Sequence, residues 1–74
     1  MPKLPRVSAR QMCAVLEKSG FVVTRQSGSH IIYINSVGKR TTVPFHGTKT
    51  LHPKIIQSIL RDAGLTVERL IELL

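Results

Sequence analysis

The sequence predicts an α+β protein with two layers, in which helices pack on one face of a small antiparallel sheet. Two segments carry apolar residues at helical spacing, and each is followed by a glycine able to end a helix, Gly20 or Gly64. Between them lie three short segments rich in β-forming residues, joined by turn-forming residues. The apolar helix faces have to be buried, and one sheet face is the surface available. With 74 residues, the chain is predicted to be a single domain, residues 1–74.

The first helix is predicted to begin after Ser8, a typical N-cap residue, and to continue to Ser19. Its apolar positions recur at the spacing of one helix face: Ala9, Met12, Cys13 and Leu16. Cys13 is the only cysteine, which excludes an intramolecular disulfide and a multi-cysteine zinc site. We expect it to be a small core residue.

The three strands are predicted to form an antiparallel meander with one face free of helices. Their predicted ranges are 21–26, 30–35 and 40–45. Residues 27–29 and 36–39 are predicted turns, and Pro44 is expected to end the third strand because proline has no amide hydrogen to donate.

The remainder of the chain is predicted to hold two helices, after a loop that includes residues 47–50. Pro53 suits the first position of the second helix, with His52 as its N-cap, and Thr66 is expected to cap a short final helix. The second helix has one apolar stripe, formed by Ile56, Ile59, Leu60 and Ala63. In the final helix, Val67, Leu70, Ile71 and Leu74 are predicted to share one face. Residues 1–6 are predicted to be an extended basic lead-in.

Charge is distributed unevenly along the chain. Eleven Lys and Arg residues stand against four Asp and Glu, for a net charge of +7, and no acid occurs between Glu17 and Asp62. A basic middle of this kind is typical of a surface that contacts nucleic-acid phosphates, and a basic surface that merely keeps the protein soluble is the alternative. The cations that we expect to contact phosphates are Arg25, Lys39, Arg40 and Lys49.

The scarcity of acids argues against several mechanisms. Two-metal nucleases need several converging carboxylates, and here the acids are scattered on predicted helices. Gly-rich phosphate loops and paired glycosidase carboxylates are absent from the sequence, and the histidines lack metal-ligand spacing, so no metal or small-molecule cofactor is expected. No apolar run approaches the ~20 residues of a membrane span, and no signal peptide is recognised. A cytoplasmic protein without membrane contact is the expectation.

The histidines are the remaining candidates for chemistry. His30 begins the second strand after a Gly-Ser turn, where a side chain is accessible, and by alternation it shares a face with Ile32. Both faces of that strand carry apolar residues, so packing and catalysis both stay open for His30. His46 follows the third strand and can approach His30, or it can be an ordinary loop residue. His52 is best interpreted as a helix-start residue.

Histidine suits RNA cleavage if the partner is RNA. A base that removes the 2′-OH proton, with cations that stabilise the phosphorane, cleaves the chain without a metal and leaves a 2′,3′-cyclic phosphate. An imidazole ordinarily titrates near neutral pH, which suits this proton transfer.

Three motifs together resemble the HicA family of bacterial toxins. They are Gly28-Ser29-His30, Val43-Pro44-Phe45-His46 and the segment 58–65, SILRDAGL. The resemblance runs from the first helix nearly to the C-terminus. It implies a fold like the double-stranded RNA-binding domain, with α-β-β-β-α order, here with a short extra C-terminal helix. It also implies a toxin that cleaves mRNA and is neutralised by a HicB-type antitoxin.

The resemblance implies roles for three residues. The family's catalytic histidine corresponds to His30, whereas His46 and Ser29 match other motif positions and are candidate supporting residues. Two other functions stay open from the sequence: a non-catalytic RNA-binding module of the same fold, and a protein-interaction domain.

Overall fold

Helices and strands follow one another in the predicted order. The computed structural model describes residues 3–46 and 49–74. The elements are α1 (Ala9–Lys18), β1 (Val22–Ser27), β2 (His30–Ile34), β3 (Arg40–Pro44), α2 (Pro53–Ala63) and α3 (Val67–Leu73). The predicted α+β class is therefore confirmed, with the α-β-β-β-α order that the resemblance implied. Met1 and Pro2 of the predicted lead-in, and Gly47 and Thr48 of the predicted loop, lie outside the described residues.

The helices begin at the predicted caps. The Ser8 hydroxyl accepts a hydrogen bond from the Gln11 amide (3.1 Å) while the Gln11 side chain accepts one from the Ser8 amide (2.9 Å), a reciprocal pair that closes the start of α1. His52 Nδ1 accepts from the second residue of α2 at 3.1 Å, and Thr66 caps α3 in the same way. Gly64 ends α2 with a φ of 71°, a conformation that a residue with a Cβ adopts only at a cost.

The strands form a three-stranded antiparallel meander in the order β1-β2-β3, as predicted. Both long helices pack against β3, and the core lies between the helices and one face of the sheet. Tyr33 of β2 is buried in this core, where its hydroxyl donates to a carboxylate oxygen of Glu17 on α1 at 3.0 Å. Tyr33 therefore marks the helix-covered face, and by alternation His30 lies on the open face.

The first strand is displaced by one residue from its predicted range. Phe21 does not belong to β1: its amide donates to the carbonyl of Leu16 at 2.9 Å, which completes the end of α1, and its ring is buried in the core. At the other end Ser27 is a strand residue, because the turn needs only Gly28 and Ser29. The second and third strands each end one residue earlier than predicted.

The predicted apolar face of α3 is buried only in part. Leu70 is completely buried, but Ile71 and Leu74 are 44% and 47% exposed, and Leu73 packs against the core in their place. The orientation of α3 on α1 accounts for this difference, since Lys18 Nζ donates to the carbonyl of Leu73 at 3.0 Å. Docking on α1 thus selects the buried face of this short helix.

Two core residues escaped the helical and strand patterns. Val7 and Leu51 lie outside the named elements, yet both are buried in the core. The Leu51 amide donates to the Val7 carbonyl at 2.8 Å, and Ser8 forms a β-bridge with Thr50. This short antiparallel contact ties the segment before α1 to the segment before α2.

One buried hydroxyl supplies a stability prediction. The Oγ1 atom of Thr41, on the helix-covered face of β3, has no hydrogen-bond partner among the described residues. Thr41→Val removes this unpaired polar atom and keeps the shape, so we expect the free energy of unfolding to stay equal or rise by about 1 kcal/mol. Chemical denaturation measures it, with Thr42→Val on the open face as the matched control. A loss above about 1 kcal/mol for Thr41→Val would mean that the hydroxyl is paired.

Candidate functional site

The open face of the sheet is organised in rows of residues that lie directly opposite one another on neighbouring strands. Such partners in an antiparallel sheet point to the same face. The row that contains His30 has Ser27 on one side and Pro44 on the other. His30, whose face the sequence left undecided, is an exposed residue with a strand on either side of it.

Ser27 is the site residue that sequence reasoning missed. It was assigned to the turn, whereas the structure pairs it with His30 as the last residue of β1. The signal was present in the Gly28-Ser29 pair: a two-residue hairpin turn, here with Gly28 at a φ of 57°, places the flanking residues opposite each other. A hydroxyl therefore lies beside the imidazole on the same face.

The next row along the strands supplies a cation. Arg25 on β1 is opposite Ile32, and Thr42 completes the row on β3. Ile32 is only 8% exposed although it lies on the open face and outside the main core cluster. Arg25 is exposed one row from His30, a separation of roughly 7 Å along the strand.

The third row lies at the opposite end of the sheet from His30. It contains Val22, Ile34 and Arg40, and the distance along β2 from His30 is about 13 Å. Lys39 precedes this row, and its side chain lies over the end of α2: a Cβ at Gly64 would come within 3.1 Å of Lys39 Nζ. Of the predicted phosphate contacts, Arg25 therefore lies near His30, while Arg40 and Lys39 do not.

Other predicted residues gather at the His30 end. The Phe45 amide donates to the Ser29 carbonyl, so His46 leaves β3 beside the Gly28-Ser29 turn. The Lys49 amide donates to the His46 carbonyl at 3.4 Å, which brings the backbone of Lys49 to the same end. His46, Ser29 and Lys49 are all exposed.

The four acids lie on helices, away from this face. Glu17 accepts from Tyr33 on the core side, and Glu72 forms an ion pair with Arg69 on α3 at 2.9 Å. Among residues 3–46 and 49–74, no three His, Cys, Asp or Glu side chains are grouped closely enough to hold a metal ion. Within the core, burial raises the pKa of the Cys13 thiol and of the Tyr33 phenol, so both stay protonated at neutral pH.

A surface cavity of about 350 Å³ occurs at a different place. It lies between the segment before α1, with Leu4 and Arg6, and the start of α2, with Pro53 and Ile56. None of the predicted site residues lines this cavity.

These features define a class: a small, strongly basic α+β protein with an exposed histidine on an uncovered sheet face. Within that class the chain belongs to the HicA family, since the family model described as "HicA toxin of bacterial toxin-antitoxin" matches residues 9–65 of the 74. The resemblance found in the sequence is thereby confirmed, and with it a role as the toxin of a toxin–antitoxin system. The match runs from the start of α1 to the residue after the Gly64 cap, and excludes α3. The comparison with curated proteins gives no match.

In the described part of the chain, every helix is too short or too polar to cross a membrane.

Proposed function

We propose that this toxin is a metal-independent endoribonuclease that cleaves mRNA and inhibits translation, with His30 as its single catalytic histidine. The observation that carries the proposal is the row Ser27–His30–Pro44 on the open face, in which Ser27 and His30 are exposed and Pro44 is half-buried, with Arg25 one row away. An extended polymer can lie across such a face. An enclosed pocket is not needed for a substrate of that shape.

The chemistry assigned to these residues is an internal transesterification. The 2′-oxygen attacks the adjacent phosphorus, the bond from phosphorus to the 5′-oxygen breaks, and a 2′,3′-cyclic phosphate and a 5′-hydroxyl result. His30 takes the 2′-OH proton or gives one to the leaving oxygen, a contribution of roughly 10²- to 10⁴-fold. To Arg25, one row from His30, we assign stabilisation of the charge that develops on the phosphorane.

The spacing of the cations supports contact with more than one phosphate. Arg25 lies in the middle of the face, Arg40 and Lys39 lie at its far end, and Lys49 lies near His46. An RNA backbone that crosses the sheet from His30 toward Arg40 passes Arg25 and then the cations at the far end. His46 and Ser29, at the His30 end, are the candidates to contact the reacting nucleotide. The protein partner proposed alongside RNA is a HicB-type antitoxin.

One observation favours the alternative, a non-catalytic RNA-binding module. A catalytic base is ordinarily held in orientation by a third group, and no described residue forms a hydrogen bond with the His30 side chain. The same basic face would then bind RNA by shape and charge alone.

A cleavage assay in chelator separates the two functions. We expect the purified toxin, incubated with single-stranded RNA and excess EDTA, to give fragments with 2′,3′-cyclic phosphate ends. The matched control is the same RNA with 2′-O-methyl riboses, which has no 2′-OH to attack and should stay intact. RNA that is bound but uncut would support the binding module, and cleavage that needs an added divalent cation would contradict a metal-independent mechanism.

A further inference from the structure

The first strand is the least covered element of the sheet. β1 is an edge strand, every one of its residues is exposed, and the two long helices pack on β3 at the other edge. Val22 lies on the open face and Val23 on the helix side, because they pair with Ile34 and Tyr33 respectively. They are nevertheless 61% and 51% exposed. Two adjacent valines thus present apolar surface on both sides of a free edge.

Protection of this edge is confined to its second half. Edge strands are commonly kept from pairing with other chains by bulges and by charged side chains. In β1 the register shifts between Val23 and Arg25, and the cation follows immediately. The segment Val22–Val23 precedes both features and carries neither of them.

We propose that the outer edge of β1 at Val22–Val23 is a strand-addition site for a segment of the HicB-type antitoxin. This inference rests on the antitoxin partner of the proposed function and identifies where on the toxin it docks. Main-chain hydrogen bonds from the free edge would supply the pairing, and alternate side chains of the added strand would flank both faces of the sheet.

The residues of β1 define the chemistry of the added strand. Side chains directly opposite one another on neighbouring strands stabilise a sheet when both are apolar or when their charges are opposite. The added strand is therefore apolar at two successive positions, beside Val22 and Val23, and acidic beside Arg25. On the open face it also extends the row in which Val22 pairs with Ile34, another exposed apolar residue.

Charge decides between this partner and a second copy of the toxin. Each copy carries a net charge of +7, so pairing of two β1 edges would bring like charges together, Arg25 among them. An acidic strand is attracted to the same edge.

A charged substitution on the exposed edge tests the proposal. We expect Val23→Lys to weaken binding of the purified antitoxin at least about tenfold, because an inward-pointing lysine blocks strand addition. Calorimetry measures the affinity. Val37→Lys is the matched control: Val37 is 74% exposed in the turn between β2 and β3, off the β1 edge, and its variant should bind within about twofold of the original. Equal affinities for the two variants would overturn the proposal.

Hydrogen exchange on the unaltered complex gives an independent answer that does not depend on how any variant folds. The amides of residues 22–24 should become protected when the antitoxin binds, while unprotected amides there would contradict strand addition. Dimerisation of the free toxin that Val23→Lys abolishes would assign the edge to a second copy, and loss of RNA binding in that variant would assign it to RNA. The RNA cleavage assay tests the proposed function separately. If the toxin cleaves RNA but the amides of β1 are not protected by the antitoxin, only the strand-addition inference is overturned.

Discussion

Replacing His30 with alanine should abolish RNA cleavage and leave the fold intact. The side chain is exposed on the open face, so its removal creates no cavity and leaves no buried group unpaired. Loss of the proton-transfer group should lower the cleavage rate by roughly 10²- to 10⁴-fold. The measurement is single-turnover cleavage of an RNA oligonucleotide, beside thermal unfolding of the same samples.

The other histidines supply the controls for this substitution. His52 caps α2, so His52→Ala should lower the free energy of unfolding by about 1 kcal/mol and leave the cleavage rate unchanged. His46→Ala tests the residue beside the Gly28-Ser29 turn: a reduced rate with unchanged RNA affinity would make it a participant in the reaction. Equal cleavage by the His30→Ala variant and the original protein would remove His30 from the mechanism.

Replacing Leu70 with alanine should cause the largest loss of stability among the variants considered. Leu70 is 0% exposed and is the one residue of α3 that is completely buried. The substitution removes buried methyl groups and leaves a cavity, which typically costs about 2–5 kcal/mol, a large fraction of the stability of a small domain. Urea denaturation measures the change in midpoint, since the slope is expected to stay constant.

The neighbouring residue provides the comparison. Ile71 lies on the same helix but is 44% exposed, so Ile71→Ala should cost less than about 1 kcal/mol. The family match ends at Leu65, before α3 begins, and the pair of variants therefore tests whether α3 unfolds together with the rest of the chain. A single transition shifted by Leu70→Ala supports one domain over residues 1–74. Equal small effects of the two variants would show that α3 is not part of the cooperative unit.

The order of elements and their caps were predictable because their signals are local. The hydroxyls of Ser8 and Thr66 act within three residues of themselves, and Gly64 ends α2 through its own backbone conformation. The sequence could not predict which face of the sheet His30 lies on, because both faces of β2 carry isoleucines. The contact that decides it joins Tyr33 to Glu17 across the core, sixteen residues away in sequence.

For the candidate site, the sequence indicates the residue types better than it indicates their arrangement. Composition and motifs identify His30 and Arg25, which the structure brings within neighbouring rows. They also group Arg40 with these residues. In the meander, however, the start of β3 pairs with the end of β2, so Arg40 lies at the other end of the sheet from His30. Ser27 was missed because it was assigned to the turn, and a turn residue has no partner in the sheet. Sequence patterns specify residue types, whereas hairpin register specifies which of them meet.

The uneven support of the sheet has a consequence for the row that holds His30. Pro44 belongs to the strand packed against both long helices, while Ser27 belongs to a strand held mainly through β2. Local opening of a protein segment costs least where few buried contacts have to be broken. The imidazole thus lies at the boundary between a firmly anchored part of the molecule and one that opens at low free-energy cost. Any partner that adds contacts to β1 restricts this opening and so limits the motion of the row that holds His30.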